Sequence, residues 1–302
     1  MPWVETSAFE EMAQGELREA LESCETIRRK AVSRFWLFLA LAIVGGIAVA
    51  GLAAVLFELA IGVVVGVIAL VVGVIAVTLP LSSAGEQIKR PMAEAIARRQ
   101  GLTWQPKALG APGFDEAERM LFGGASRRVF GDIWSGHVDD RAFAVYEVTL
   151  TRQSGKSTVT VFSGHVWRLA AGRTWPGKTL AVPDRGAFNF FKPAGGMSRV
   201  RYPEDVEFER LFEVYATDAA AAQTIFTPAL RSELTAIRND AGRLFIYLGG
   251  DHVLAAIAGK DRFEPGSMFK ATPGVERARA MWNEVEGSVG FARRLSAAFP
   301  AR

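Results

Sequence analysis

The chain has 302 residues, half of them hydrophobic, with 35 basic and 32 acidic side chains, three histidines and one cysteine. The bases are scattered among acids rather than clustered with aromatics, which argues against nucleic acid as a partner. One cysteine, Cys24, excludes an intrachain disulfide and fits a reducing compartment.

Residues 1–34 hold 7 acidic and 5 basic side chains and no early apolar run, so they do not read as a secretory signal. Phe9, Met12, Leu17, Leu21 and Ile27 recur at helical spacing. The spacing predicts a helix over residues 6–31, solvated and leading into the next segment. A partner-binding or self-associating helix is the rival expectation.

Between Phe35 and Leu81 the only ionisable side chain is Glu58. A single helix of that length would reach roughly 70 Å, whereas a bilayer core is about 30 Å thick and takes about 20 residues. Two spans are expected: Phe35 to Val55, a tight turn at Leu56–Leu59 carrying Glu58 to the far interface, then Ala60 to Leu79. Pro80 with Ser82, Ser83 and Gly85 should end the second helix. Ala42, Gly46 and Ala50 in the first span, and Gly62, Gly66 and Gly73 in the second, form small faces that let helices approach closely. Packing of the two spans on each other is the expectation, with self-association through the second span as the rival.

The flanks are basic, with Arg28, Arg29, Lys30 and Arg34 before the first span and Lys89 and Arg90 after the second. These six are the candidate lipid-headgroup contacts. By the positive-inside rule both flanks lie in the cytoplasm. The expected location is therefore the cell inner membrane, with two spans and both termini cytoplasmic. After residue 81 there are 30 basic and 24 acidic side chains, a balance suited to an anionic lipid surface.

Residues 86–100 read as a helix leaving the membrane, kinked or restarted at Pro91. Residues 102–105 suggest a short strand, and Asp115–Phe122 a short helix stopped by Gly123 and Gly124. From Arg128 the period becomes two. Runs at 129–138, 141–152 and 157–169 alternate β-branched and aromatic residues with polar ones. Asp139-Asp140 and Ser154-Gly155-Lys156 mark their turns. Thr179–Pro183 and Phe212–Ala216 read as strands. Asp218 and Thr227-Pro228 are helix starts, the second helix ending before Gly242. Two strands flank Gly249-Gly250-Asp251, and residues 274–298 return to helical spacing. The expected fold class is α+β: an N-terminal helix, a transmembrane helical hairpin, then a cytoplasmic antiparallel α+β domain. The expected divisions are 1–34, 35–81, 82–125 (a helical connector) and 126–302.

No Walker loop, G-x-S-x-G or metal-ligand spacing appears, and no cofactor is expected. His137 beside Asp139 and Asp140 superficially suggests an acid–base or metal site, and a pocket gathering them with Glu147 would favour a tethered enzyme; hairpin-turn chemistry accounts for the aspartates better. The acids Glu204, Asp205, Glu207 and Glu209 read as a solvated face or as charges guarding an edge strand. Phe188, Phe190 and Phe191, beside Arg185 and Lys192, suggest core burial, or insertion at a bilayer or partner surface.

FSGHVWRL (162–169), VEFERLFEVYATDAAAAQTIFTPALRSELTAI (206–237), the strand pair 244–258 and Asp261-Arg262-Phe263-Glu264-Pro265 resemble a family of bacterial membrane proteins, domain of unknown function 3137. That resemblance implies a helix, a two-span hairpin and a cytoplasmic domain, and no activity. The expected function is a membrane-anchored binding or scaffolding module with the lipid bilayer and a protein partner, or a second copy, as partners. The alternatives are a tethered hydrolase and an accessory subunit of a transporter or envelope complex.

Overall fold

The computed structural model describes residues 3–301 except 57, 58, 108, 109, 112, 185–195, 260–262 and 265. Expectations for Glu58 and its turn, for Phe188, Phe190 and Phe191 with Arg185 and Lys192, and for Asp261, Arg262 and Pro265 fall outside the described residues. The fold is mixed α+β and divides into two units, one of Met1–Arg99 with Glu264–Asn283, the other of Gln100–Phe263 with Glu284–Arg302.

The first unit contains α1 (Trp3–Gln14), α2 (Arg18–Leu56), α3 (Leu59–Arg99) and the start of α8 (Gly274–Ala298). The helix expected over 6–31 breaks at Gly15, where the Leu17 N–H reaches back to Met12 O at 3.0 Å. Nor is α1 a solvated lead-in. Phe9, Met12 and Leu17 are buried, with Phe9 edge-on to Trp282 at 5.9 Å. Glu10 pairs with Arg279, Glu11 with Arg99 and Glu16 with Arg98.

No proline interrupts 18–56, so α2 runs unbroken from the charged flank through the apolar stretch. A correction is needed in α3, which passes through both Pro80 and Pro91 and ends only at Arg99. Proline removes one i→i−4 bond. Around Pro80, however, Thr78 Oγ1 donates to Ile75 O (2.8 Å) and Ser82 Oγ to Leu79 O (3.1 Å), which supports neighbouring carbonyls locally. Burial of Val77, Ala84, Ile88, Met92 and Ile96 supplies the packing that keeps the helix whole.

The second unit holds, among the described residues, one nine-stranded antiparallel sheet in the order β1-β2-β3-β4-β9-β8-β5-β7-β6. The strands are β1 (Thr103–Gln105), β2 (Arg127–Val138), β3 (Arg141–Ser154), β4 (Ser157–Ala170), β5 (Thr179–Pro183), β6 (Ser198–Val200), β7 (Phe212–Ala216), β8 (Leu244–Gly249) and β9 (His252–Ala258). Asp139 and Asp140 turn β2 into β3 at φ of 49° and 60°, the left-handed conformation that short polar side chains tolerate.

On one face, α4 (Phe114–Phe122) lays Phe114, Leu121 and Phe122 on Phe130, Tyr146, Phe162 and Phe245. The Phe122 and Phe162 rings are 4.5 Å apart. Each such ring is worth about 1.5–3 kcal/mol of burial. Gly123 stops α4 at φ 73°. On the other face, Trp167 Nε1 donates to Ser288 O (3.1 Å) and its ring meets Phe291 at 4.4 Å. Buried Arg141 donates to Ser296 O (3.1 Å) and Phe299 O (2.7 Å). These contacts fix the C-terminal half of α8. The short helices α5 (Val206–Leu211), α6 (Ala219–Ile225) and α7 (Pro228–Ala241) are capped by Asp205, Asp218 and Thr227.

Candidate functional site

In the sheet, register decides which polar groups meet. Glu147 of β3 lies directly opposite His165 of β4, and Thr149 opposite Ser163. Strand side chains alternate, so these four share the face opposite Tyr146 and Val166. His165 Nε2 is 3.0 Å from Glu147 Oε1, and His165 is 1% exposed. The Phe263 N–H donates to the same carboxylate oxygen at 3.3 Å, with its ring edge-on to His165 at 5.4 Å. A bulge in β2 between Phe130 and Ile133 puts Gly131 against Glu147, where a Cβ would stand 2.9 Å from Oε2. Opposite, Gly164 passes so near β9 that a Cβ would stand 2.1 Å from Ile257 O. Small residues at 131 and 164 thus leave a cavity of about 160 Å³ beside the pair.

This arrangement can hold a proton between an imidazole and a carboxylate. The nearby hydroxyls bond each other, Thr149 Oγ1 to Ser163 Oγ at 3.1 Å. A metal would need more ligands, and no group of three His, Cys, Asp or Glu side chains converges among the described residues.

The constellation of His137, Asp139, Asp140 and Glu147 does not assemble. His137 pairs with Ala142 at the hairpin end of β2. Glu147 lies five residues further along β3, roughly 17 Å at strand rise. Sequence spacing missed His165 as the partner of Glu147 because their meeting depends on a register set 18 residues apart.

The acidic run is built into structure. Asp205 accepts from the Phe208 N–H at 3.1 Å as the α5 cap, and Arg231 bridges Glu204 and Asp205 at 2.9 Å each. Glu116 accepts from Tyr247 OH at 2.7 Å and from Lys178. The Lys178 hydrogen bond, followed by that from Tyr247, lowers its pKa.

In the first unit, the six candidate packing residues come together between α2 and α3. A Cβ on Gly73 would meet Ala42 Cβ at 2.7 Å, on Gly66 Ala50 Cβ at 2.6 Å, and on Gly62 Ala50 O and Ala54 Cβ at 2.7 Å; Gly46 faces Gly66 O. The partners run in opposite directions, as in an antiparallel hairpin.

The six candidate headgroup contacts divide. Arg28 and Lys89, 8% and 4% exposed, face the protein instead. Arg28 forks onto Glu25 (2.7 and 2.8 Å) and donates to Met268 O (3.1 Å). Lys89 pairs with Glu264 at 2.6 Å. Beyond Glu25, both find oxygen acceptors far along the chain, on Glu264 and in the segment 266–273. Arg29 is exposed beside Glu25 at 2.6 Å, and Arg90 is exposed 4.0 Å from Glu94. Hydrogen bonds from Arg28, then Arg29, push the Glu25 carboxyl down to about 2. Lys30 and Arg34 are exposed. Sequence reasoning also missed Arg277, whose guanidinium donates to the carbonyls of Ser267, Lys270 and Thr272 and pins that segment.

Comparison with solved structures finds the crystal structure of the mycobacterial trehalose monomycolate transport factor A, TtfA. It is 11% identical, with a TM-score of 0.39, over 68% of this chain and 93% of that one. No curated protein matches the chain. Residues 160–296, from within β4 to near the end of α8, match the model of a protein family of unknown function, DUF3137. Over those residues the chain is similar to the DUF3137 family.

Proposed function

We propose that the chain is a membrane-anchored binding module, its helical hairpin crossing a bilayer and its sheet unit serving as the working surface on the cytoplasmic side of a bacterial inner membrane. One observation carries this reading. Along α2 and α3 the large apolar side chains point outward, Val44 at 66%, Ile47 at 68% and Val55 at 85% exposed. Soluble proteins rarely show contiguous apolar patches beyond a few hundred Å², and both helices have the length and hydropathy of a span. The inward faces are small residues, as helix pairs in lipid prefer. Basic residues flank both outer ends and support a cytoplasmic placement of the termini. The partner is a second protein or an assembly to which this chain is accessory.

Membrane fractionation tests the anchoring. The full chain should stay in the pellet after alkaline carbonate washing and leave it only with detergent. Release by carbonate alone would contradict the reading.

A further inference from the structure

We propose that a pocket between α2 and α3, lined by Lys30, Arg34, Ser83 and Gln87, binds the phosphate headgroup of an anionic phospholipid. The proposal rests on the membrane reading and adds a defined lipid site to it.

The pocket has a volume of about 270 Å³. Lys30 and Arg34 are one turn apart on α2, and Ser83 and Gln87 one turn apart on α3, so each pair projects from one helix face. Ile27, Ala31, Pro80 and Ala84 form the apolar wall between them. Among the described residues, neither Lys30 nor Arg34 has an ion pair or hydrogen bond. Their neighbours Arg28, Arg29, Lys89 and Arg90 all face carboxylates of the chain. Gln87 Nε2 reaches Ser83 Oγ at 3.4 Å, which leaves the serine hydroxyl hydrogen and the second amide hydrogen as donors. Two unspent cations and two neutral donors suit a phosphodiester.

Depth and charge agree. Phe35 and Trp36 follow Arg34 directly, and Phe269, 53% exposed, meets Phe35 edge-on at 5.1 Å. Exposed aromatics gather at the headgroup level, which places the pocket there. A second cavity of about 430 Å³ on the same unit, lined by Leu81, Glu86, Glu264 and Phe269, carries carboxylates and repels the same ligand.

The test uses the full chain in a neutral detergent, titrated with short-chain phosphatidylglycerol, short-chain phosphatidylcholine and inorganic phosphate, with binding read by native mass spectrometry and thermal shift. Phosphatidylglycerol should bind best. The double variant Lys30→Gln/Arg34→Gln should weaken it roughly thirtyfold, about a factor of five for each charge. Lys30→Arg/Arg34→Lys should retain it, and so should Arg29→Gln/Arg90→Gln, which removes as many charges outside the pocket. Equal loss in the outside pair would overturn the site in favour of diffuse surface charge. An equal response to inorganic phosphate or phosphatidylcholine would overturn the lipid assignment. The titration reads the pocket without a bilayer, so its failure is distinct from a failure of the fractionation test.

Discussion

Arg28, Lys89 and Arg277 exchange water for oxygen acceptors of their own chain, and Glu147 and His165 do the same for each other. Removing one member of such a pair takes a hydrogen-bond partner from a polar group withdrawn from water. His165→Ala should therefore destabilise the sheet unit by about 2–3 kcal/mol, and His165→Gln, which keeps a donor, by about 1 kcal/mol. Urea unfolding followed by tryptophan fluorescence checks this; wild-type stability in His165→Ala would show that the pair holds nothing. At this scale the sequence was least legible. Arg28 and Lys89 look like any juxtamembrane bases, yet Arg28 is held by Glu25 and the distant Met268 carbonyl, and Lys89 by Glu264, more than 170 residues away. His137 with its two aspartates was the visible cluster, but Asp139 and Asp140 are turn residues with positive φ.

Among the elements, α2 and α3 pack through positions where a methyl group is already too much. A Cβ on Gly66 would stand 2.6 Å from Ala50 Cβ, whereas one on Gly45 or Gly51 would point into open space. Gly66→Leu should lower the thermal midpoint of the detergent-solubilised chain, overpacking costing about 1–3 kcal/mol. Gly45→Leu and Gly51→Leu should leave it unchanged. Circular dichroism separates the three, and a tolerant Gly66 would mean that the hairpin is not packed this way. Because Gly62 and Gly66 face α2 of the same chain, leucine there opens the hairpin itself. Most strands were legible, since alternation and turn residues are local signals; the three-residue β6 was too short to show any. α5 was hidden inside an acidic run because its cap, Asp205, looks like the other acids. The passage of α3 through Pro80 was hidden because proline's local cost is offset by burial far along the helix.

For the whole molecule, an apolar helical pair with small residues inward and large ones outward is joined to a sheet unit that buries its own aromatics. Charge follows the same division, absent from the described residues of 35–81 and abundant on either side. If the helical pair crosses the bilayer as proposed, both flanks lie on one side of the membrane, whereas a single span would separate them. Reporter fusions after Arg302 test it most directly. A reporter active only in the cytoplasm should function there, and one active only after export should stay silent. A silent cytoplasmic reporter with an active exported one would reverse the orientation and contradict the placement of the sheet unit.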